Sequence, residues 1–267
     1  MANDFSEDDN CVSLYRFESG ALETDSKGSN TLSPSGDPAE DTTNFKEGSC
    51  AVSLDGNDTE YRFDSNLPSD FPFKNSTTNR LLSACLWFRP TTIPGSGNYD
   101  AILSKFEEAL NGRSFRLSMH DSDLWLVTGY NSGATAEYNK IMDITEASRW
   151  YHAGLTLNGD TGAWVTRIWD DVAETANTYS GTLANTPVSC DIGPLSIGSM
   201  FNNNSPTNWF IGQIDEVVIF KDILTEAEID QIREGTYGTF IGPTQEQIMR
   251  HGTWFGSGVK QRMWWAK

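Results

Sequence analysis

The sequence predicts an all-β protein, an antiparallel two-sheet sandwich carrying one short helix near its C-terminal end. Three observations predict it. Short apolar-rich runs follow one another along the 267 residues, several alternate with period two, and Gly-, Asn-, Asp- and Ser-rich stretches separate them. A chain of this length can bury a substantial core without a metal or disulfide scaffold. Aromatic residues make up 12% of it, which excludes a disordered polymer.

The predicted strands are residues 11–17 (CVSLYRF), 49–55, 81–89, 99–106, 113–120, 123–128, 149–157, 162–169 and 209–220. In 113–120, Phe115, Leu117 and Met119 point one way and Arg116, Ser118 and His120 the other. Tyr151, Ala153 and Leu155 likewise oppose His152, Gly154 and Thr156. Residues 55–58, 95–98 and 158–160 carry the turn chemistry between strands. The helix is expected over 225–234: Thr225 with Glu228 forms a capping box, and Gly235 closes the C-terminus. Ala227, Ile229 and Ile232 form an incomplete apolar stripe, so the helix should pack on the sandwich surface. Gly242-Pro243 breaks the chain into a sandwich, 1–240, and a C-terminal segment, 241–267.

The net charge is −18, which argues against a polyanion-binding body, and no nucleic acid partner is expected. No run of 18 apolar residues offers a membrane span. The acidic start, MANDFSEDDN, lacks the apolar core of a secretory signal. Cys11, Cys50, Cys85 and Cys190 lie far apart without C-x-x-C spacing and read as small buried hydrophobes. A Cys11–Cys50 bridge requires that their strands be neighbours. His120, His152 and His251 show no metal-ligand spacing and are expected at the surface or in turns.

Several segments, taken in order, resemble one family. They are Leu14 to Gly20, Asp25 to Asn30, Gly48 to Gly56 (GSCAVSLDG), Ser83 to Pro90 (SACLWFRP), Ile102 to Lys105, Trp150 to Ala153, Ile197-Gly198, and Phe210 to Phe220 (FIGQIDEVVIF) with Leu224 to Ile229. Together they resemble the laminin G-like domains of the concanavalin A-like lectin/glucanase superfamily over roughly residues 10–236. Trp169-Asp170-Asp171 departs from the family's hairpin at that point and puts the adjacent loop in doubt. The resemblance implies two curved sheets with a jelly-roll connection. It does not fix the function, because its members include glycan-binding modules, adhesion domains, glycosidases and structural modules.

A glycosidase needs two carboxylates facing one bond. Glu228-Ile229-Asp230 falls in the helix, where positions i and i+2 do not share a face, and Asp215 and Glu216 are strand neighbours expected to point to opposite sides. Catalysis is therefore not expected. The resemblance implies one structural calcium ion where the N-terminal strand and loop meet the closing strand, with Glu18, Asp25, Asn30 and Asp215 as ligands. Glycan contacts are expected at Tyr130, Asn131, Tyr138, Asn203 and Trp209, which combine aromatic faces with planar amides.

Residues 241–267 hold four bases, one acid and three of the nine tryptophans. Arg250, Trp254, Phe255, Trp264 and Trp265 are of the types enriched at protein interfaces, and they predict an anchor into a partner subunit. This ending loosely resembles short C-terminal endings of phage structural proteins. The expectation is a non-catalytic virion surface protein, made in the host cytoplasm, that decorates a capsid or tail and binds glycans. The alternatives are an extracellular bacterial carbohydrate-binding module or adhesin, and, after that, a glycoside hydrolase.

Overall fold

Strands whose apolar residues alternate present one apolar face, which a second sheet can bury. The computed structural model describes residues 3–58, 60–63, 67–74, 79–187, 189 and 192–238. In chain order the strands are β1 (Cys11–Tyr15), β2 (Ser33–Ser35), β3 (Ala39–Asp41), β4 (Ala51–Asp55), β5 (Glu60–Phe63), β6 (Leu81–Pro90), β7 (Tyr99–Glu107), β8 (Gly112–His120) and β9 (Asp123–Tyr130). They continue with β10 (Thr135–Asp143), β11 (Tyr151–Asn158), β12 (Ala163–Asp170), β13 (Thr175–Thr182), β14 (Leu195–Ile197), β15 (Met200–Asn202), β16 (Ser205–Thr207) and β17 (Ile211–Phe220), and helix α1 (Glu226–Arg233) follows. The first sheet runs β13-β12-β11-β6-β17-β4-β3, with β1 also beside β17. The second runs β10-β9-β8-β7-β14-β5-β2, with the β15–β16 hairpin against β7. The chain crosses between them repeatedly, giving a jelly-roll sandwich.

One apolar cluster fills the space between the sheets. Leu86 and Phe88 of β6 and Ala153 and Leu155 of β11 meet Phe115 and Leu117 of β8 and Leu124 and Leu126 of β9. Burying each large side chain contributes about 2 kcal/mol. A second cluster lies on the outer face of the first sheet, where Ile229 and Ile232 of α1, with Leu224, cover Cys85, Val218 and Phe220. Ala227 of the expected stripe is exposed, and Leu224 takes its place. The capping box at Thr225 forms, and Gly235 follows the helix at φ 68.

Strand β17 is shared. One side pairs with β6, and the other pairs first with β4, at 211–214, then with β1, at 217–220. Glu216, at φ 47, bulges where the partner changes. This arrangement overturns the Cys11–Cys50 bridge. Cys11 sits opposite Phe220, whereas Cys50 precedes β4 on the far side of the bulge. Four or five residues of strand, roughly 15 Å, separate them, too far for a disulfide. Both are free and buried, as is Cys85. His152 is also not a surface residue: it is buried beneath α1 against Trp87, and burial lowers its pKa to about 3.

Candidate functional site

The site is built where the first sheet hands the chain to the second. β6 ends at Pro90, and residues 91–98 cross the end of the sandwich to start β7 at Tyr99. The crossing is pinned by Thr91 N–H to the Ile211 carbonyl (2.9 Å), by the turn from Asn98 N–H to the Gly95 carbonyl (3.0 Å), and by Gly97 N–H to Asp121 Oδ1 (2.6 Å). On the other side Ala101 N–H donates to the Asn208 carbonyl (2.8 Å), which seats Trp209 beside the start of β7. Gly56 closes the floor: a Cβ there would lie 2.1 Å from Ile211 Cγ1. The result is an open cleft of about 480 Å³ lined by Asn98, Tyr99, Asp100, Asn208 and Trp209, with Ile93 and Pro94 at its lip.

Its polar groups are aromatic edges, amides and one acid. Tyr99 is held by the His120 ring (centroids 4.4 Å apart), and behind it the Arg116 guanidinium lies 5.5 Å from the ring centre. Asp100 is 8% exposed, and burial pushes its carboxyl up to about 6. No hydrogen-bond donor among the described residues reaches it. Its oxygens, which only accept, are open on the cleft side to donors from solvent or from a ligand.

Of the residues expected from sequence to touch a glycan, the structure brings Trp209 alone into this cleft. Asn203 and Asn204 form the tight turn of the β15–β16 hairpin, and their N–H groups donate to Glu107 (2.7 and 2.9 Å). Glu107 is the last residue of β7 and Tyr99 the first, so Asn203 lies roughly 27 Å from the cleft. Tyr130 and Asn131 end β9 at that same distant end. Tyr138 stands half exposed on the middle of β10. Sequence reasoning missed Asn98, Tyr99, Asp100 and Asn208. The 95–98 run was legible as a turn, but an unpaired acid at a strand start has no signal in one sequence.

A second cleft, of about 500 Å³, lies beside the C-terminal end of α1 and carries Trp87 and Trp169. It suits a sugar less well. The Lys46 ammonium lies 4.4 Å from the Trp87 ring and pairs with Asp171 (2.9 Å). The Arg233 guanidinium covers Trp169 at 4.0 Å and pairs with Glu234 (2.6 Å).

The four expected calcium ligands are not brought together. Among the described residues no three His, Cys, Asp or Glu are placed to hold a metal ion. Asp25 accepts from the N–H groups of Leu14, Lys27 and Asn30, and the Asn30 amide donates to Val12 and Ser13. Glu18 accepts from Ser49. Asp215, fully buried, accepts from the N–H groups of Lys46, Glu47 and Glu216, so it ties the 46–47 loop to the β17 bulge. Protein donors already satisfy these oxygens, and the set does not fit one ion. Burial nevertheless pushes Asp215 up to about 7, and Glu216, 3.1 Å from Arg16, up to about 8. The anchoring residues Arg250, Trp254, Phe255, Trp264 and Trp265 lie outside the described residues.

A family model described as Concanavalin A-like lectin/glucanases superfamily matches residues 47–230. No curated protein matches the chain in sequence. Solved structures share its fold. The binding domain of Paraclostridial Mosquitocidal Protein 1 superposes with a TM-score of 0.62 at 14% identity, covering 84% of this chain and 52% of that one. The botulinum neurotoxin serotype D binding domain gives 0.60 at 14%, covering 85% and 52%. The binding domain of botulinum neurotoxin DC, in complex with SialylT, gives 0.58 at 11%, covering 86% and 52%. The chain thus spans about half the length of these structures, and at such identities the likeness shows the fold alone.

Proposed function

The chain belongs to the Concanavalin A-like lectin/glucanases superfamily, and from that premise we propose that it is a carbohydrate-binding surface module whose ligand sits in the rim cleft between Tyr99 and Trp209. The observation that carries this reading is the cleft itself: an indole, planar amides from Asn98 and Asn208 and a buried acid converge on an open volume of saccharide size. An apolar ring meets the C–H face of a sugar while amides and carboxylate take its hydroxyls. Proteins of known structure with this fold include one whose description is a complex with SialylT, which supports ligand binding as the use of the scaffold. The reading is non-catalytic. Asp215 and Glu216, the adjacent buried acids, are engaged by backbone N–H groups and by Arg16, so neither is presented to a substrate. A glycan array tests it. The wild-type protein should bind, and Trp209→Ala should lose at least tenfold in affinity. Equal binding by the variant would remove the cleft from consideration.

For its setting we propose the surface of a phage virion, on a capsid or tail, with residues 241–267 as the anchor. The composition of that segment supports it: four bases and three tryptophans on a chain of net charge −18. Mass spectrometry of purified particles should find the full-length chain and not one truncated at residue 240. Normal incorporation of the truncated chain would remove the anchor.

A further inference from the structure

We propose that Asp100 sets the specificity of the rim cleft: it selects an uncharged saccharide offering two neighbouring hydroxyl donors and rejects sugars that carry a carboxylate. The inference rests on the carbohydrate reading of that cleft. Asp100 is more than nine-tenths buried, it lines the cleft, and no donor among the described residues reaches either of its oxygens. A carboxylate only accepts hydrogen bonds, and a vicinal diol supplies two O–H donors at the spacing of its two oxygens. A bound diol would therefore replace the water that meets these oxygens in the open cleft with two charge-assisted hydrogen bonds.

Rejection of acidic sugars follows from the charge around it. No Lys or Arg lines the cleft. The titratable groups next to it are His120, stacked on Tyr99, and Asp121, whose Oδ1 takes the Gly97 N–H. Arg116 stands behind the Tyr99 ring, buried by Phe106 and by Met200. An acidic sugar would bring a second negative charge toward Asp100 with nothing in the cleft to neutralise it, on a protein of net charge −18.

The test is an array of neutral oligosaccharides, each paired with its sialylated or uronic-acid counterpart, probed with the wild type, Asp100→Asn and Trp209→Ala after thermal melts show that all three are folded. The wild type should prefer the neutral member of a pair by tenfold or more. Asp100→Asn should weaken neutral binding at least tenfold and narrow that preference, because the amide replaces one acceptor by a donor and removes the charge. Equal binding of neutral and acidic partners by the wild type would overturn the inference. So would wild-type behaviour of Asp100→Asn beside loss of binding by Trp209→Ala, a result that leaves the cleft standing. Binding that survives both substitutions would overturn the cleft reading as well.

Discussion

At the scale of single residues, the buried ionisable groups decide how the protein responds to pH. Asp215 and Glu216 are held near 7 and 8, above their ordinary values of 3.8 and 4.5. Between about pH 4 and 8 the folded chain therefore binds more protons than the unfolded one, and this pair makes stability fall as pH rises through that window. His152 acts at the other end. Its pKa, lowered from 6.5 to about 3 beneath α1, makes stability fall as pH drops below about 6.5. Glu216→Gln should flatten the alkaline loss by about 1–2 kcal/mol. Thermal melts at pH 6 and 9 check this, and an unchanged slope would show that Glu216 is not the responsible group. Asp100, raised to about 6, carries the same logic into binding: affinity for a neutral sugar should fall as pH drops through 6, where the acceptor is protonated. Residue by residue, the site was only partly legible. Trp209 was expected as an aromatic face beside planar amides, and the structure places it in the proposed cleft. Asp100 was not, because what marks it is the absence of a partner.

At the scale of elements, what was legible followed burial. β6, β8, β11 and β17 pack a face into the central core and were read within two residues of their ends. β10 and β13 are sheet-edge strands whose residues are mostly polar and half exposed, so neither alternation nor apolar content marked them. The helix was read from its cap, but the side chain that completes its apolar face, Leu224, lies just before the cap. α1 approaches the sheet closely because Gly154 of β11 leaves room for Ile229. A Cβ there would lie 2.3 Å from Ile229 Cγ2. Gly154→Ala should cost about 1–3 kcal/mol by overpacking. Ile229→Ala should cost about 2–4 kcal/mol by opening a cavity. The double variant should cost less than the sum, because the added methyl enters the space the isoleucine vacates. Strict additivity in denaturant melts would contradict this account of the packing.

At the scale of the whole molecule, the jelly roll places the loop between β6 and β7 and the loop leading into β17 side by side, although more than 100 residues separate them. Fold class was readable from the pattern of strands, whereas this meeting of distant loops was not, since pairing order is set by which strand edges remain free. In the proposed setting the acidic body would repel its copies in solution and the basic, tryptophan-rich end would make the attachment. Removing residues 241–267 should leave the melting temperature within a few degrees, because the central core and the cover by α1 lie within residues described up to 238. A large loss would show that the end segment belongs to the sandwich. The central claim is that the rim cleft takes the sugar, and amide chemical-shift mapping during titration with an array-selected neutral oligosaccharide tests it most directly. Shifts should concentrate at residues 93–100 and 207–211 and vanish in Trp209→Ala. Shifts centred instead on Trp87, Trp169 and Arg233 would contradict it.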